Sequence, residues 1–162
     1  MCGVFTGTVP VYAQSGGNPE SISIRVSATV QESNDVAVVT LRDMILDRQV
    51  TNQGIVTIDP QIHDQAGKMR AEGRSNAEVR IRFLEELELR RIGGSETLTF
   101  YYVVAGNNMD DKASSEALDL DNRNFVLNSE GEFYFWIGGR VDIRNAVQGE
   151  YDGEFIVEIE YL

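Results

Sequence analysis

The only histidine, His63, is the side chain best suited to move a proton near neutral pH. It follows Pro60 in a polar stretch with no serine–histidine–aspartate or cysteine–histidine pattern around it, so a solvated loop histidine is expected. Glu85, Glu86 and Glu88 offer the carboxylates that glycoside hydrolysis uses. Adjacent residues on a strand face opposite ways, however, so Glu85 and Glu86 cannot converge on one sugar. The richest oxygen cluster is Asn107, Asn108, Asp110 and Asp111, with Asp119, Asp121 and Asn122. Calcium takes about six to eight oxygen ligands, but Arg123 stands where an EF-type loop needs a ligand, and its glycine and distal glutamate are missing. The expectation is a solvated loop of local Asp and Asn turns, with calcium binding across 107–122 as the alternative. Two aromatic runs, Phe100-Tyr101-Tyr102 and Phe133-Tyr134-Phe135-Trp136, could form a sugar-stacking platform. On strands half of each run must face inward, so core packing is the expected use. No glycine-rich phosphate loop leads from a strand into a helix. The expectation is therefore no catalytic residue, no metal, no cofactor and no enzyme.

The elements that carry these residues are read from hydrophobic alternation. Ile22, Ile24, Val26, Ala28 and Val30 share one face, and Ser23, Arg25, Ser27 and Thr29 the other. Further strands are expected over 36–41, 44–46 and 54–59, the last closed by Pro60, and over 77–83. The stretch 84–92 has good helix formers, yet Leu87 and Leu89 keep a period of two before the Gly93-Gly94 turn; a strand is expected, with a short helical turn as the other option. Residues 97–104 form the richest β-forming run, expected at the centre of its sheet. Residues 61–76 and 105–124 are expected as polar loops, the first with a hairpin as its alternative. Strands follow over 125–127, 133–137, 141–143 and 155–161. The pattern means sandwich or barrel without helical crossovers. The reading is an all-β, antiparallel, Ig-like Greek-key β-sandwich of eight to ten strands.

Composition narrows the partners. The chain of 162 residues carries 26 acidic against 14 basic residues, a net charge of −12. Lys68 and Lys112 are its only lysines. That field repels phosphate backbones and anionic lipid, which argues against nucleic acid and membrane-surface partners. It suits either a self-repelling soluble surface or one that recruits cations. No run of about 18 apolar residues occurs, so no transmembrane segment is expected.

The first seventeen residues carry no charge, and Val11-Tyr12-Ala13-Gln14 fits a signal-peptidase site after Ala13. Residues 1–13 are read as the remnant of a secretory signal and 14–162 as a single domain; an ordinary N-terminus is the alternative. The lone Cys2 falls in that remnant, leaving the expected mature domain without a disulfide.

The C-terminal third carries the most specific motif. It runs from Tyr134 through Gly138-Gly139-Arg140-Val141 to Ile143, then Gly149, Tyr151, Gly153, Phe155, Val157, Ile159 and Tyr161. With Gly54-Ile-Val-Thr-Ile-Asp-Pro60, it resembles the bacterial exported family called domain of unknown function 4402. The same ending is similar to pilins of the chaperone–usher class, which close on an alternating strand with a penultimate tyrosine, here Tyr161. That resemblance implies an incomplete sandwich whose missing strand comes from the next subunit's N-terminal extension. Here Ile22, Ile24, Val26, Ala28 and Val30 would be the knobs that fill successive pockets, burying apolar area at about 25 cal/mol per Å². The same strand could equally pair within its own chain.

Two functions are therefore expected in outline. The first is an exported cell-surface structural or adhesive subunit, pilin-like, polymerising by donation of its N-terminal strand, with itself or another surface subunit as partner. The second is a self-complete secreted or periplasmic sandwich that binds a glycan or protein through the 105–124 loop.

Overall fold

The computed structural model describes residues 21–32, 36–49, 54–118 and 123–162. The expected signal remnant, residues 1–13, lies outside them. The described residues form twelve strands and no helix. In chain order they are β1 (Ser21–Glu32), β2 (Ala37–Arg42), β3 (Met44–Gln49), β4 (Ile55–Ile58), β5 (Gly67–Glu72) and β6 (Glu78–Phe83). Then come β7 (Glu86–Arg91), β8 (Thr97–Asn107), β9 (Glu116–Ala117), β10 (Asn124–Val126), β11 (Glu132–Asp142) and β12 (Gly149–Tyr161).

Strand β12 organises one side of the molecule. Its C-terminal half pairs antiparallel with β6, Val157 opposite Phe83 through Tyr161 opposite Val79, and its start pairs with β7 at Tyr151 and Asp152. Along its other edge lies β1, parallel, from Ile22 opposite Gly149 to Glu32 opposite Ile159. Strand β7 passes the sheet to β8 and β8 passes it to β11. The far edge of β11 is shared by β4 and β5, and β5 pairs with β2.

Asp43 separates two strands that run on from one another but choose different partners: β2 pairs with β5, whereas β3 pairs with β1. This change of partner draws the two ends of the sheet together, and the twelve strands make a mixed, nearly closed, barrel-like layer. The all-β expectation stands, while the wholly antiparallel one is corrected by β1 and β12. A parallel pair needs a long connection, usually a helix. Here the first and last strands are joined by all the strands between them, so no helix is required.

Three departures in the strand reading have plain causes. Strand β5 falls in the expected 61–76 loop because Lys68, Arg70 and Glu72 mask an inward row of Gly67, Met69 and Ala71. Strand β8 continues to Asn107, and β9 answers it at Ala105 and Gly106 inside the expected 105–124 loop. Strand β12 begins at Gly149, six residues before the hydrophobic alternation becomes dense. The 84–92 stretch is the strand β7.

The inward rows meet in one core. Phe125, Phe133 and Phe135 cluster with centroids 4.1–5.1 Å apart, and Phe100, Tyr102, Phe155 and Phe83 form a second chain of rings at 4.6–5.6 Å. At the start of β12 the Tyr151 hydroxyl donates to the Val147 carbonyl, 2.7 Å, a tyrosine corner that pins the entry of the strand. Gly139 is obligatory where β11 passes β8: its φ is +153°, and a Cβ there would lie 2.1 Å from the Tyr101 carbonyl oxygen.

Trp136 alternates with the core residues Phe135 and Ile137 and so faces the other way, yet it is only 2% exposed. Its ring stacks on Tyr134, and the Lys68 ammonium sits over both rings at 5.6–5.8 Å while bonding Asp110 at 2.5 Å. Two loops are tied together on this side. Gln61 donates its amide to Ser115, and Lys112 bonds the Ile62 carbonyl (3.2 Å) and Asp64 (2.9 Å). Lys68 and its partner Asp110 thus cover an aromatic pair outside the main core.

Candidate functional site

The residues singled out for assembly come together as register partners. Ile22, Ile24 and Val26 are buried, and Ala28 packs partly buried against the core. Val30 stands opposite Val157, its side chain outside those described. Facing them on β12 are Gly149, Tyr151, Gly153 and Phe155, opposite Ile22, Ile24, Val26 and Ala28 respectively. Ile22 and Val26 stand opposite glycines and the small Ala28 opposite Phe155, whereas Ile24 and Tyr151 are both large. Gly153 has a second reason to be bare, since a Cβ would lie 2.5–2.6 Å from Leu87 and Leu89. Phe155, Val157 and Ile159 continue the buried row. Tyr161 closes it by accepting the Arg74 backbone N–H at 2.9 Å under the Arg74 guanidinium, 4.0 Å from the ring.

The residues weighed for chemistry are occupied locally. His63 is exposed, and its Nδ1 accepts the Asp59 backbone N–H at 2.7 Å, which closes a turn. Glu85 bonds Arg123 at 3.2 Å, and Glu88 lies 3.6 Å from Arg90. In the oxygen-rich loop, Asn107 donates to Ser114 and to the Asp111 carbonyl, while the Ser114 hydroxyl donates to Asp111 at 2.6 Å and holds its carboxyl below the ordinary range. Asp110 is taken by Lys68, and Asp64 is lowered by its hydrogen bond from Lys112. The chain's only two lysines thus each bond an acid of the covering loops. Among the described residues no group of three or more potential metal ligands gathers. Asp119, Asp121 and Asn122 lie outside the described residues.

One feature of the surface was not legible beforehand. A groove of about 570 Å³ opens beside β8, between its pairing with β7, which ends at Tyr101, and with β9, which begins at Ala105. Phe83, Tyr102, Val104 and Leu118 line it, with Tyr101 and Arg140 also on its wall. Arg123 enters from the side, its guanidinium 4.2 Å from the Phe83 ring and bonded to the Phe83 carbonyl (3.1 Å) and Glu85. Burial pushes the Tyr102 phenol well above its ordinary range. The one available signal was the pair Tyr101-Tyr102, which places one phenol on each side of the same strand.

Comparison with protein-family models gives no match, and a search of curated proteins finds none either.

Proposed function

We propose that the chain is an exported, non-enzymatic β-domain of the cell surface, structural or adhesive in role, whose own first strand completes it. The observation that carries this reading is the seating of β1. It runs in register along the motif strand β12, puts Ile22, Ile24 and Val26 into the core, and is held on its other edge by β3. The motif residues Gly149 to Tyr161 that resemble the exported family form the other side of this contact. We read the architecture as a variant of the Ig-like Greek-key sandwich in which the β2–β3 run crosses from one layer to the other at Asp43.

Strand donation is the second reading, and one observation favours it. Among the described residues β1 pairs only with β12 and β3, and it is the first strand, so it can leave and be replaced without unthreading any other element. A neighbouring chain's β1 would make the same contacts, because backbone pairing is indifferent to which chain supplies the edge.

Deleting residues 14–30 tests both readings. The self-complete domain predicts a monomeric full-length chain and a truncated form that melts lower and recovers when a peptide of residues 21–32 is added. Donation predicts concentration-dependent oligomers of the full-length chain that the same peptide disperses. A truncated form that melts like the full-length chain defeats both. Protease shaving of cells displaying a tagged chain tests the surface location independently.

A further inference from the structure

The outer face of β6 and β12 carries two matched columns. Arg80 and Arg82 alternate with the buried Val79 and Ile81 and point outward, and Leu84 follows them at the end of β6. Glu160, Glu158 and Ile156 point outward from β12 in the same way. The register sets Arg80 opposite Glu160 and Arg82 opposite Glu158. Leu84 and Ile156 share the wall of an open cleft of about 360 Å³ at one end of the columns. Both are open to solvent, Leu84 69% exposed and Ile156 38%. Arg82 leans past its cross-strand neighbour to bond Glu160 at 2.7 Å, and Glu158 has no ion pair among the described residues.

A second copy of this chain answers both the apolar pair and the unpaired acid. A twofold axis lying along the strands, between β6 and β12 and just above their face, carries the β6 of one copy over the β12 of the other at the same height. Arg82 then stands over Glu158, Arg80 over Glu160 and Leu84 over Ile156, each contact made twice. Charge selects this axis. A twofold running across the strands would lay β6 over β6 and β12 over β12, setting arginine among arginines and glutamate among glutamates. A wholly acidic or wholly basic partner likewise meets one column with like charge. The two arginines and two glutamates cancel within each patch. At physiological ionic strength a Debye length of about 8 Å weakens the repulsion between the remaining acids of two chains of net charge −12.

We propose that the outer face of β6 and β12 is a homodimer contact between two copies stacked face to face. Four strands in the order β10, β6, β12 and β1 at ~4.8 Å, by about six residues at ~3.4 Å, make a face of about 400 Å² per copy. The pair buries about 800 Å² in total, short of the roughly 1,200 Å² of stable interfaces, so the contact is weak. At the micromolar concentrations of chromatography or unfolding the chain is accordingly a monomer, and copies pair when crowded together. The contact goes beyond the seating of β1 and requires neither export nor a particular source of that strand.

The test is the isotope-labelled full chain carried from about 20 μM to about 2 mM, read by amide chemical shifts and translational diffusion. Progressive shifts at 80–84 and 156–160 are expected, with slower diffusion. Arg82→Glu and Glu158→Arg, both at exposed positions, should each weaken the association at least about tenfold by opposing like charges. Mixed in equal amounts, the two variants should associate again, because the reversed charge of each copy meets its complement on the other. No cross-strand effect within one chain produces that rescue. The peptide of residues 21–32, which disperses strand-donated oligomers, should leave the shifts unchanged. The proposal is overturned if no shifts develop by about 2 mM, or if they fall on another face. It is equally overturned if the mixture associates no better than either variant alone, or if the peptide disperses the pair.

Discussion

Replacing Ile24 by alanine removes a side chain from the middle of the β1–β12 contact. Ile24 is 0% exposed, with Tyr151 beside it on β12 and Leu46 on β3, both also buried. Loss of three buried carbons costs about 2.4 kcal/mol at ~0.8 kcal/mol each. Flanking partners held by two ladders limit collapse, so a cavity of about 80 Å³ adds up to ~2 kcal/mol at 24 cal/mol per Å³. The expected destabilisation is therefore about 2.5–4.5 kcal/mol, within the range of such core truncations. Urea unfolding followed by the fluorescence of Trp136, the only tryptophan and 2% exposed, reads it directly. The matched control is Ile45→Ala on β3, which is 41% exposed and should cost about 1 kcal/mol or less. For a self-complete domain both midpoints are independent of protein concentration. If Ile24→Ala costs no more than Ile45→Ala, β1 is not seated in the core and the reasoning fails.

Other outcomes follow from single features. Gly139→Ala forces a side chain into φ +153° against the Tyr101 carbonyl and should cost at least about 2 kcal/mol; a melting temperature within a degree or so of the parent would mean β11 does not pass β8 as described. Tyr102→Phe removes a buried hydroxyl that has no partner among the described residues and should leave the chain as stable as before, or stabler by about 1 kcal/mol; a clear loss of stability would show that the hydroxyl has a partner. The hydrogen bond from Arg144 holds the Asp142 carboxyl at about 2, below its ordinary 3.8, so its contribution is present above pH 3.8 and is lost as pH falls towards 2. Asp142→Asn should accordingly flatten the stability curve across that window, and an unchanged slope would show that the Asp142–Arg144 pair is not formed in solution.

Much of the fold was legible because alternation is a local signal. The rows Ile22–Val26, Val79–Ile81 and Phe155–Ile159 each announce their inward face, and β7 survived its helix-forming composition because Leu87 and Leu89 keep step two apart. Strand β5 was hidden because its inward residues are Gly67, Met69 and Ala71, too small or too few to register as a hydrophobic run. The parallel seat of β1 was not readable, since pairing direction is decided by which distant edge remains open. The 105–124 segment read as a polar loop because Asn108, Asp110 and Asp111 are exposed, while β8 runs on to Asn107 and pairs with β9 inside it. The motif residues of β12 were recognisable one by one; that Gly149 and Gly153 stand opposite Ile22 and Val26 appears only when the two strands are laid side by side. The groove depends on where β7 stops, where β9 starts and how Arg123 returns over Phe83, a coincidence of three distant segments whose one local trace is the pair Tyr101-Tyr102.

The central claim is that β1 closes the sheet of its own chain. Arg25 and Ile45 are opposed across the antiparallel β1–β3 pair. Opposed Cα atoms in such a pair lie about 4.5–5.5 Å apart, inside the span of a disulfide. In a chain carrying Cys2→Ser, Arg25→Cys and Ile45→Cys, oxidation at low protein concentration should give a monomer of increased mobility on a non-reducing gel, with no thiol left to titrate. A ladder of cross-linked chains, or a monomer that keeps both thiols free, would contradict the account.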